Sequence, residues 1–436
     1  MMSLQLAGQR IVVAGLGISG QASIRFLLSQ QAQLKVWDTR ADAPVPDDIT
    51  CPVVRGALPQ GYWDDVTTLV VSPGIDLQHE GVQQAMTSEV EVIGEIELFA
   101  RINTRPCLGI TGSNGKTTVT LLLTHILNSC GIRAVAAGNV GKPALSTLDD
   151  DVDMVVLELS SFQLETTSSL ALEGATLLNL SDDHLDRHKT MAAYSDAKQR
   201  IFNHATQALC WREQQLTYPL SLSVQVHEFG LADTADDFGF CNNMITWQGK
   251  PLLDISTVQL VGTHNILNIQ AAIGLAMCAG VEASAAAAAV ATFAPVAHRC
   301  VTLPTSDKIR WIDDSKATNA GATIAALTGL GAGKTGRLIL IAGGDGKGAD
   351  FAVLTPYLHQ YVDELITLGK DGPALAALKS GAYQVANMPE AVEQARALAS
   401  PGDIVLMSPA CASLDMFKNY VHRAEVFAQA VAGGAE

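Results

Sequence analysis

The stretch Gly109-Ile110-Thr111-Gly112-Ser113-Asn114-Gly115-Lys116-Thr117-Thr118 decides the fold of this chain. An apolar lead-in over residues 106–110 predicts a buried strand, and residues 118–127 predict a helix closed by Gly131. A glycine turn between strand and helix lets backbone N–H groups and the helix N-terminus face an anion. Lys116 can then reach the outer phosphates of a nucleotide, and the Thr117 hydroxyl can reach Mg²⁺. The stretch therefore predicts a phosphate-binding loop.

This loop departs from the strict pattern G-x-x-x-x-G-K-[ST], which would place a glycine at position 110. The chain has Ile110 there, so Thr111 and Gly112 must make the turn. The alternative is a glycine-rich turn that binds nothing. That alternative is disfavoured because a Gly-Lys-Thr sequence opens a helix directly after a strand.

Length and composition limit the classes of protein that this chain can represent. At roughly 150 residues per domain, 436 residues with 48% hydrophobic content predict about three domains. A net charge of -16 argues against nucleic acid as a partner. The eight cysteines form no C-x-x-C pair, which favours reduced thiols in a cytosolic protein. No signal peptide is expected at the N-terminus, and polar residues within 260–281 predict a buried helix and not a membrane span.

The N-terminal part of the chain carries a Rossmann-like fingerprint. A strand over 10–14 runs into Gly15-Leu16-Gly17-Ile18-Ser19-Gly20, and a second strand over 34–37 ends at Asp38. Taken alone, this pattern indicates a dinucleotide and an NAD-dependent oxidoreductase. The same glycine turn can hold any diphosphate, and Asp38 can accept a hydrogen bond from a ribose or a base. Both interpretations remain open at this point.

A carboxylate follows another apolar strand of the central region. Residues 154–158 predict a buried strand whose end presents Glu158. Mg²⁺ takes oxygen ligands, and a carboxylate inside an apolar run must be paired or metal-bound. Glu158 is therefore a candidate ligand beside the phosphate loop.

Two further segments of the central region are ambiguous by themselves. A strand predicted over 175–180 leads into Asp182-Asp183-His184, whose side chains are equally consistent with metal ligands and with a solvated loop. A helix predicted over 194–203 carries Lys198, which alone would be an ordinary surface lysine. Residues 207–262 predict short strands and turns and carry the least information.

The C-terminal part repeats the α/β pattern. His298-Arg299 marks its start. The stretches 310–319 and 336–347 each predict a strand that runs into a polar or glycine-rich segment, and 364–369 and 403–413 predict further strands with polar ends. In parallel sheets such strand ends collect ligands. Three units of this kind predict a site shared between domains.

Taken together, these segments resemble the Mur ligase family. The matching motifs are Thr111–Thr118, Glu158-Leu159-Ser160-Ser161-Phe162-Gln163, Asp183-His184-Leu185-Asp186-Arg187, His264-Asn265, His298-Arg299, Asp314-Ser315-Lys316-Ala317-Thr318-Asn319 and Ser408-Pro409-Ala410-Cys411-Ala412-Ser413. They occur in order along the whole chain. One departure is the stretch 210–215, which lacks the asparagine and paired aspartates expected there.

The resemblance implies a three-domain α/β architecture. A Rossmann-like N-terminal domain over 1–94 would bind a UDP-linked substrate. A central P-loop domain over 95–298, entered by a connecting helix over 95–105, would bind ATP. A Rossmann-like domain over 299–436 would bind the amino acid.

The resemblance also implies an activity, with ATP and Mg²⁺ required. A monomeric cytoplasmic enzyme of peptidoglycan precursor synthesis would join D-glutamate to UDP-N-acetylmuramoyl-L-alanine through an acyl phosphate. Alternatives within such ligases add another amino acid or make folate polyglutamate. Among other classes, an oxidoreductase leaves Lys116 and Glu158 unexplained, and a GTPase-like switch would need an Asn-Lys-x-Asp segment that the sequence lacks.

Site residues carried over from the family fall into groups by the ligand they would hold. Catalytic positions are Lys116, Glu158, His184 and Lys198; the metal ligands are Thr117, Glu158, His184 and Lys198, the lysine as a carbamate. ATP would be held by Gly112, Ser113, Asn114, Gly115, Lys116, Thr117, Thr118, Asn265, Asn268, Arg299, Asp314 and Lys316. The UDP-linked substrate would be held by Ile18, Ser19, Asp38, Thr39, Ser72, Gly74 and Asn139, and D-glutamate by Thr318, Lys347, Ser413 and the backbone at Tyr420.

Overall fold

Three predominantly parallel sheets and one small antiparallel sheet form the framework of the protein. The computed structural model describes residues 6–220, 223–260, 262–294, 296–331 and 334–433. The α/β class predicted from the sequence, with Rossmann-like outer domains around a central P-loop domain, is confirmed. No helix in these described ranges is long and apolar enough to cross a bilayer.

The first sheet is parallel throughout, with strand order β3-β2-β1-β4-β5. Its elements are β1 (Arg10–Ala14), α1 (Ile18–Ser29), β2 (Gln33–Asp38), β3 (Val53–Arg55), β4 (Thr68–Val71), α2 (Glu80–Thr87) and β5 (Glu91–Gly94). The first turn of α1 requires glycine at position 20, since a Cβ there would lie 1.9 Å from the carbonyl oxygen of Gly15 in the preceding turn. The fingerprint glycines therefore set the path of the chain between β1 and α1.

The central sheet is also parallel, with order β11-β10-β9-β6-β8-β7. It is built from α3 (Glu95–Ala100), β6 (Cys107–Thr111), α4 (Lys116–Ser129), β7 (Ala134–Gly138), β8 (Met154–Glu158), α5 (Ser161–Leu164), β9 (Ala171–Leu177), α6 (Leu185–His188), α7 (Met191–Gln199), β10 (His204–Trp211) and β11 (Gln225–Phe229). An antiparallel meander of β12 (Phe238–Cys241), β13 (Met244–Trp247) and β14 (Lys250–Asp254) follows. The helices α8 (Thr263–Cys278) and α9 (Ala283–Val290) then pack against α4.

Several boundaries in this region differ from the sequence prediction. The strand predicted over 175–180 ends at Leu177, so the residues after it form a loop beside β6. The helix predicted over 194–203 begins at Met191, because the Thr190 hydroxyl accepts a hydrogen bond from the Ala193 N–H and caps the helix earlier. The connecting helix predicted over 95–105 ends at Ala100.

The third sheet has the order β15-β16-β20-β17-β18-β19 and is parallel except for β15. Its elements are β15 (Val301–Thr302), β16 (Arg310–Asp313), α10 (Ala320–Gly331), β17 (Leu338–Gly343), α11 (Thr355–Tyr361), β18 (Glu364–Leu368), α12 (Gly372–Ala376), β19 (Tyr383–Gln384), α13 (Met388–Leu398), β20 (Ile404–Met407) and α14 (Tyr420–Gly433). Apolar clusters cover both faces of this sheet. Such two-sided burial accounts for the continuous apolar runs in its sequence.

Two buried glutamates anchor α3, the helix that directly follows β5, to the loops of the central domain. Glu97 accepts hydrogen bonds from the backbone N–H groups of Ser168 and Ser169 at 2.7 and 2.9 Å. Glu95 Oε1 accepts a hydrogen bond from Leu145 N–H at 2.7 Å, and its Oε2 has no hydrogen-bond partner within the described residues. Burial raises the pKa of Glu95 to about 7. Its ionised form is therefore costly to bury.

We expect Glu95→Gln to stabilise the protein at pH 8 and not at pH 4.5. The native state holds the Glu95 proton more tightly than the unfolded chain, whose pKa is near 4.5, so native stability falls as pH rises from 4.5 to 7. The amide oxygen keeps the bond from Leu145 N–H without a charge, a gain of about 1–3 kcal/mol at pH 8. Urea denaturation followed by tryptophan fluorescence measures it. Exposed Glu173→Gln is the control, and an equal effect of Glu95→Gln at both pH values would contradict the explanation.

Candidate active site

The loop after β6 has the geometry of an anion-binding turn. Gly112 and Gly115 have φ values of 150° and 85°, and Gly115 directly precedes α4. A Cβ on Gly115 would lie 2.4 Å from Asn268 Oδ1. The ammonium group of Lys116 folds back onto the loop, where it donates to the carbonyl oxygens of Gly112 at 2.7 Å and Ser113 at 3.0 Å. The turn predicted despite Ile110 is therefore present.

A second loop, after β9, holds the phosphate-binding loop in shape. Asn179 Oδ1 accepts from Asn114 N–H at 2.9 Å, and Asn179 Nδ2 donates to Asn114 O at 3.0 Å. Ser113 Oγ donates to Ser181 O and accepts from Ser181 N–H, both at 3.0 Å. The sequence analysis did not identify Asn179, which it placed inside the strand predicted over 175–180; its only signal was a polar side chain near the end of that apolar run.

Glu158 ends β8 beside this loop, as predicted, and is 1% exposed. Its Oε1 accepts a hydrogen bond from Asn139 Nδ2 at 2.6 Å. Its Oε2 is buried and has no hydrogen-bond partner among the described residues. A buried carboxylate oxygen without a donor is costly and favours a cation at that position.

Lys198 lies in the same buried region, contrary to the appearance of an ordinary surface lysine. Its side chain is 1% exposed, and its Nζ donates to Gly112 O at 2.9 Å and contacts Thr111 Oγ1 at 3.3 Å. Burial, and then repulsion by Lys116, lower its pKa well below the usual value. Both effects disfavour the charged ammonium form of Lys198.

The segment 182–184 has two distinct environments, which resolves part of the ambiguity in its sequence. Asp182 is exposed, whereas Asp183 is buried. His184 adopts a positive φ of 55° and packs its ring 4.9 Å from Phe162. Burial lowers the His184 pKa to about 4, so its imidazole is neutral and able to bind a metal. Within the described ranges, no group of three or more His, Cys, Asp or Glu side chains forms a metal cluster by itself.

Asp183 links the central domain to the third sheet. It forms an ion pair with Lys347, which follows β17, and accepts a hydrogen bond from Asn319 Nδ2 at 3.1 Å. Lys347 itself has a positive φ of 56°. One predicted D-glutamate residue is thereby brought next to His184 and the phosphate loop.

A cavity of about 370 Å³ opens between the phosphate loop, α8 and the third domain. Seven of the predicted ATP residues line it: Asn114, Gly115, Thr118, Asn265, Asn268, Arg299 and Asp314. Gly112, Ser113, Lys116 and Thr117 lie in or at the end of the adjoining loop, and Lys316 lies close enough to interact electrostatically with Lys116. The other walls are largely apolar and include Leu178, Trp211, Leu267 and Ala322. An apolar slot ending at an anion-binding turn suits a nucleotide, with the base in the slot and phosphates at the turn.

The segment that carried least information in the sequence contributes to this cavity. Trp211 and Gln214 line it. Gln214 accepts from Leu180 N–H and donates to Leu180 O, both at 2.8 Å, and so fixes the loop after β9. This contact occurs within the stretch that departs from the family pattern, where no motif indicated it.

A second cavity, of about 580 Å³, lies at the carboxyl end of the first sheet. All seven residues predicted for the UDP-linked substrate line it: Ile18, Ser19, Asp38, Thr39, Ser72, Gly74 and Asn139. Asn139 extends from the central domain, where it also contacts Glu158. The Asn139–Glu158 hydrogen bond therefore connects this cavity to the strand end beside the phosphate loop.

The other D-glutamate candidates occupy loops of the third domain. Thr318 follows β16, Ser413 follows β20 and Tyr420 begins α14. Within the described residues, no hydrogen bond joins Thr318 or Ser413 to Lys347. The structure thus brings Lys347 to the central domain but leaves these positions on separate loops of the same sheet edge.

Family comparisons match three consecutive parts of the chain. A model described as "Mur ligase MurD-like, N-terminal domain" matches residues 9–94, "Mur ligase middle domain" matches 110–276, and "Mur ligase, glutamate ligase domain" matches 298–411.

Curated relatives match over nearly the full length. Proteins named UDP-N-acetylmuramoylalanine--D-glutamate ligase are 45% identical in Colwellia psychrerythraea, covering 97% of this chain and 96% of the relative, and 43% identical in Shewanella oneidensis, covering 95% and 96%. The protein of that name from Pseudomonas savastanoi pv. phaseolicola is 42% identical and covers 99% of both chains.

Solved structures share the fold at low identity. UDP-N-acetylmuramate-alanine ligase from Thermotoga maritima superposes with a TM-score of 0.63 at 18% identity, covering 98% of this chain and 99% of that one. MurF from Acinetobacter baumannii gives a TM-score of 0.64 at 16% identity, covering 98% and 91%.

We expect Asp183→Asn to weaken the contact between the central and third domains. The substitution removes the carboxylate charge that pairs with Lys347 but keeps a group able to bond Asn319. The radius of gyration from small-angle scattering should rise, and proteolysis near residues 296–300 should accelerate about fivefold. Asp182→Asn, at the exposed neighbouring position, serves as the matched control. Identical scattering and cleavage for the two variants would show that the ion pair does not hold the domains together.

Proposed function

The chain belongs to the Mur ligase family, and from this we infer that it joins D-glutamate to UDP-N-acetylmuramoyl-L-alanine in an ATP-dependent reaction. The observation that carries the inference is the nearly full-length identity of 42–45% with curated relatives named for this ligation. The enzyme is thus an amide-bond-forming ligase of peptidoglycan precursor synthesis. Because ATP and UDP-linked precursors are the substrates, we place the reaction in the cytoplasm.

The two cavities provide separate places for the two nucleotides. The slot beside α8 offers apolar walls to a base and leads to the phosphate loop. The cavity of the first sheet accommodates the UDP part, with its glycine turn and helix N-terminus toward the diphosphate. Asn139 lines the cavity of the first sheet and donates to Glu158, which ends β8 beside the phosphate loop, so the muramoyl-alanine carboxylate would approach that loop past Asn139.

Ligases of this kind use Mg²⁺ with ATP, and the residues beside the loop fit that ion. The unpartnered Oε2 of Glu158 is an available anionic oxygen, and the Thr117 hydroxyl stands at the first turn of α4. The neutral imidazole of His184 and a modified Lys198 would complete a second set of ligands. Bound Mg²⁺ supplies charge neutralisation at the phosphate oxygens.

A carbamate on Lys198 is supported by the surroundings of that side chain. Carbamate formation requires an uncharged amine that can attack CO₂, and burial favours this form. The product carries anionic oxygens in place of a cation, which reduces the repulsion from Lys116. It also supplies the oxygen ligands that Mg²⁺ prefers.

In the proposed reaction, the substrate carboxylate attacks the γ-phosphorus, the bond to the β-phosphate oxygen breaks, and ADP leaves. The ammonium group of D-glutamate first loses a proton. The resulting amine attacks the carbonyl carbon of the acyl phosphate. Inorganic phosphate then departs, and the nitrogen loses a second proton as the amide forms. The protein aligns anions and neutralises their charge. Lys116, at the start of α4, would face the phosphates, and Lys347 would pair with a D-glutamate carboxylate.

Phosphate release in the presence of ATP and UDP-N-acetylmuramoyl-L-alanine tests the substrate assignment. D-Glutamate should stimulate release at least about 100-fold over L-glutamate, L-lysine or meso-diaminopimelate, because a misplaced amine loses the alignment on which transfer depends. Formation of the amide product is confirmed by mass spectrometry. Stimulation by one of the other amino acids, with none by D-glutamate, would reassign the substrate.

A Lys198→Ala variant tests the carbamate. We expect the rate to fall about 100-fold, because metal ligands are lost, and acetate to restore part of it by supplying a carboxylate. Wild-type protein in ¹³C-bicarbonate should show a carbamate resonance that the variant lacks. Exposed Lys189→Ala is the control and should keep its rate. A wild-type rate for Lys198→Ala would remove the carbamate from the mechanism.

A further inference from the structure

The ammonium group of Lys316 lies against the aromatic ring of Tyr420, with 3.9 Å between Nζ and the ring centroid. Within the described ranges, no carboxylate forms an ion pair or a hydrogen bond with this group. Lys116, by contrast, is held by two loop carbonyls. The ring is therefore the only close electrostatic partner that the described residues give Lys316.

The electrostatic surroundings of Lys316 make such a partner necessary. Burial lowers its pKa to about 8, and repulsion by Arg299 and Lys116 acts in the same direction. Glu158 attracts the charge only at a distance, without contact. Unless something fixes it, a flexible side chain surrounded by cations would turn away from them and from the phosphate loop.

The position of the Tyr420 ring is fixed by contacts with His298 and by the attachment of its helix, α14. The His298 ring meets it edge-on, with centroids 6.1 Å apart, and His298 Nδ1 lies 2.7 Å from Asp313 Oδ2. One turn along α14, Arg423 is 1% exposed and donates to Ser315 O at 2.8 Å, which ties the helix to the segment carrying Lys316. The ring and the lysine are therefore fixed relative to each other through two routes.

We propose that the side chain of Tyr420 is a positioning residue that holds the Lys316 ammonium toward the nucleotide phosphates through its π face. The negative face of the ring stabilises a cation at this distance without neutralising it. The positive charge of Lys316 is therefore not compensated by a contacting carboxylate of the described residues and is available to an anionic ligand. This proposal rests on the proposed function for the identity of the ligand, an ATP phosphate, and goes beyond the backbone role expected for Tyr420.

Calorimetric titration with the ATP analogue AMP-PNP and Mg²⁺ tests the proposal. Tyr420→Phe keeps the ring and should retain most of the analogue affinity. Tyr420→Leu keeps apolar volume but removes the π face, and should weaken binding about fivefold to twentyfold. In a Lys316→Met background, Tyr420→Leu should weaken binding further by less than about twofold, because the ring acts through the lysine.

Equal losses from Tyr420→Leu in both backgrounds would show that the ring acts by packing alone, and would overturn the proposal. If Tyr420→Leu does not fold, phenylalanine analogues with one, two or three fluorine atoms at position 420 decide the question at nearly constant shape. The dissociation constant should then rise steadily with fluorine number, since fluorine weakens the π face. A flat series would contradict the proposal.

The titration requires nucleotide binding only, so the result does not depend on which amino acid the enzyme ligates. A wild-type protein that failed to bind AMP-PNP would overturn the ATP site and the proposed function together. Wild-type binding combined with a flat fluorine series would overturn the positioning role alone.

Discussion

The site is organised by a buried excess of positive charge beside one partly satisfied carboxylate. Lys116, Lys316 and Arg299 are cations whose pKa values are lowered by burial, and Glu158 has a buried oxygen that no described residue donates to. Burying an unpaired charge costs free energy. Here backbone carbonyl oxygens accept hydrogen bonds from Lys116, and the ring of Tyr420 contacts Lys316, and both contacts reduce that cost. The arrangement becomes favourable when phosphate oxygens enter. The chain as a whole carries a net charge of -16 and therefore repels anions. The cavity differs from the rest of the protein because its buried cations attract phosphate groups.

The fold produces this positively charged cavity by bringing together the ends of strands from different sheets. Each sheet directs the carboxyl ends of its parallel strands toward the region shared by the domains, and the loops there carry the polar groups. Asn139 connects the central sheet to the cavity of the first, and Asp183 connects it to the third through Lys347. Because each connection joins two domains through one or two side chains, relative movement of the domains changes the site directly. The catalytic geometry is therefore a property of the assembled domains.

Sequence patterns predicted the elements whose residues must satisfy local rules. Buried strands require apolar runs and the phosphate loop requires glycines. The strand β6, the helix α4 and the position of Glu158 could therefore be predicted from the sequence. Only the family resemblance indicated that Lys198 is part of the site, since nothing near it in the sequence distinguishes it from a surface lysine. Asn179 and Gln214 escaped prediction because their roles depend on loops distant in sequence, 65 and 34 residues from their partners. The observed end of β9 at Leu177 and the observed start of α7 at Met191 differ from the predicted bounds. Strand pairing decides the first, and the Thr190 cap decides the second.

The fingerprint of the first domain shows why one motif does not specify a ligand. In a dinucleotide site, the acidic residue after the second strand is available to a ribose. Here the Asp38 carboxylate accepts from Leu16 N–H at 2.9 Å and from the Arg40 guanidinium, and these bonds lower its pKa to about 2. Asp38 therefore stays ionised and is occupied in shaping the glycine turn that it follows. A glycine turn at a helix N-terminus can hold any diphosphate, so the motif alone does not distinguish a dinucleotide cofactor from a UDP-linked substrate. In this chain the residue that the neighbouring domain adds to the cavity, Asn139, is bonded to Glu158 beside the phosphate loop, a feature that the fingerprint itself does not contain.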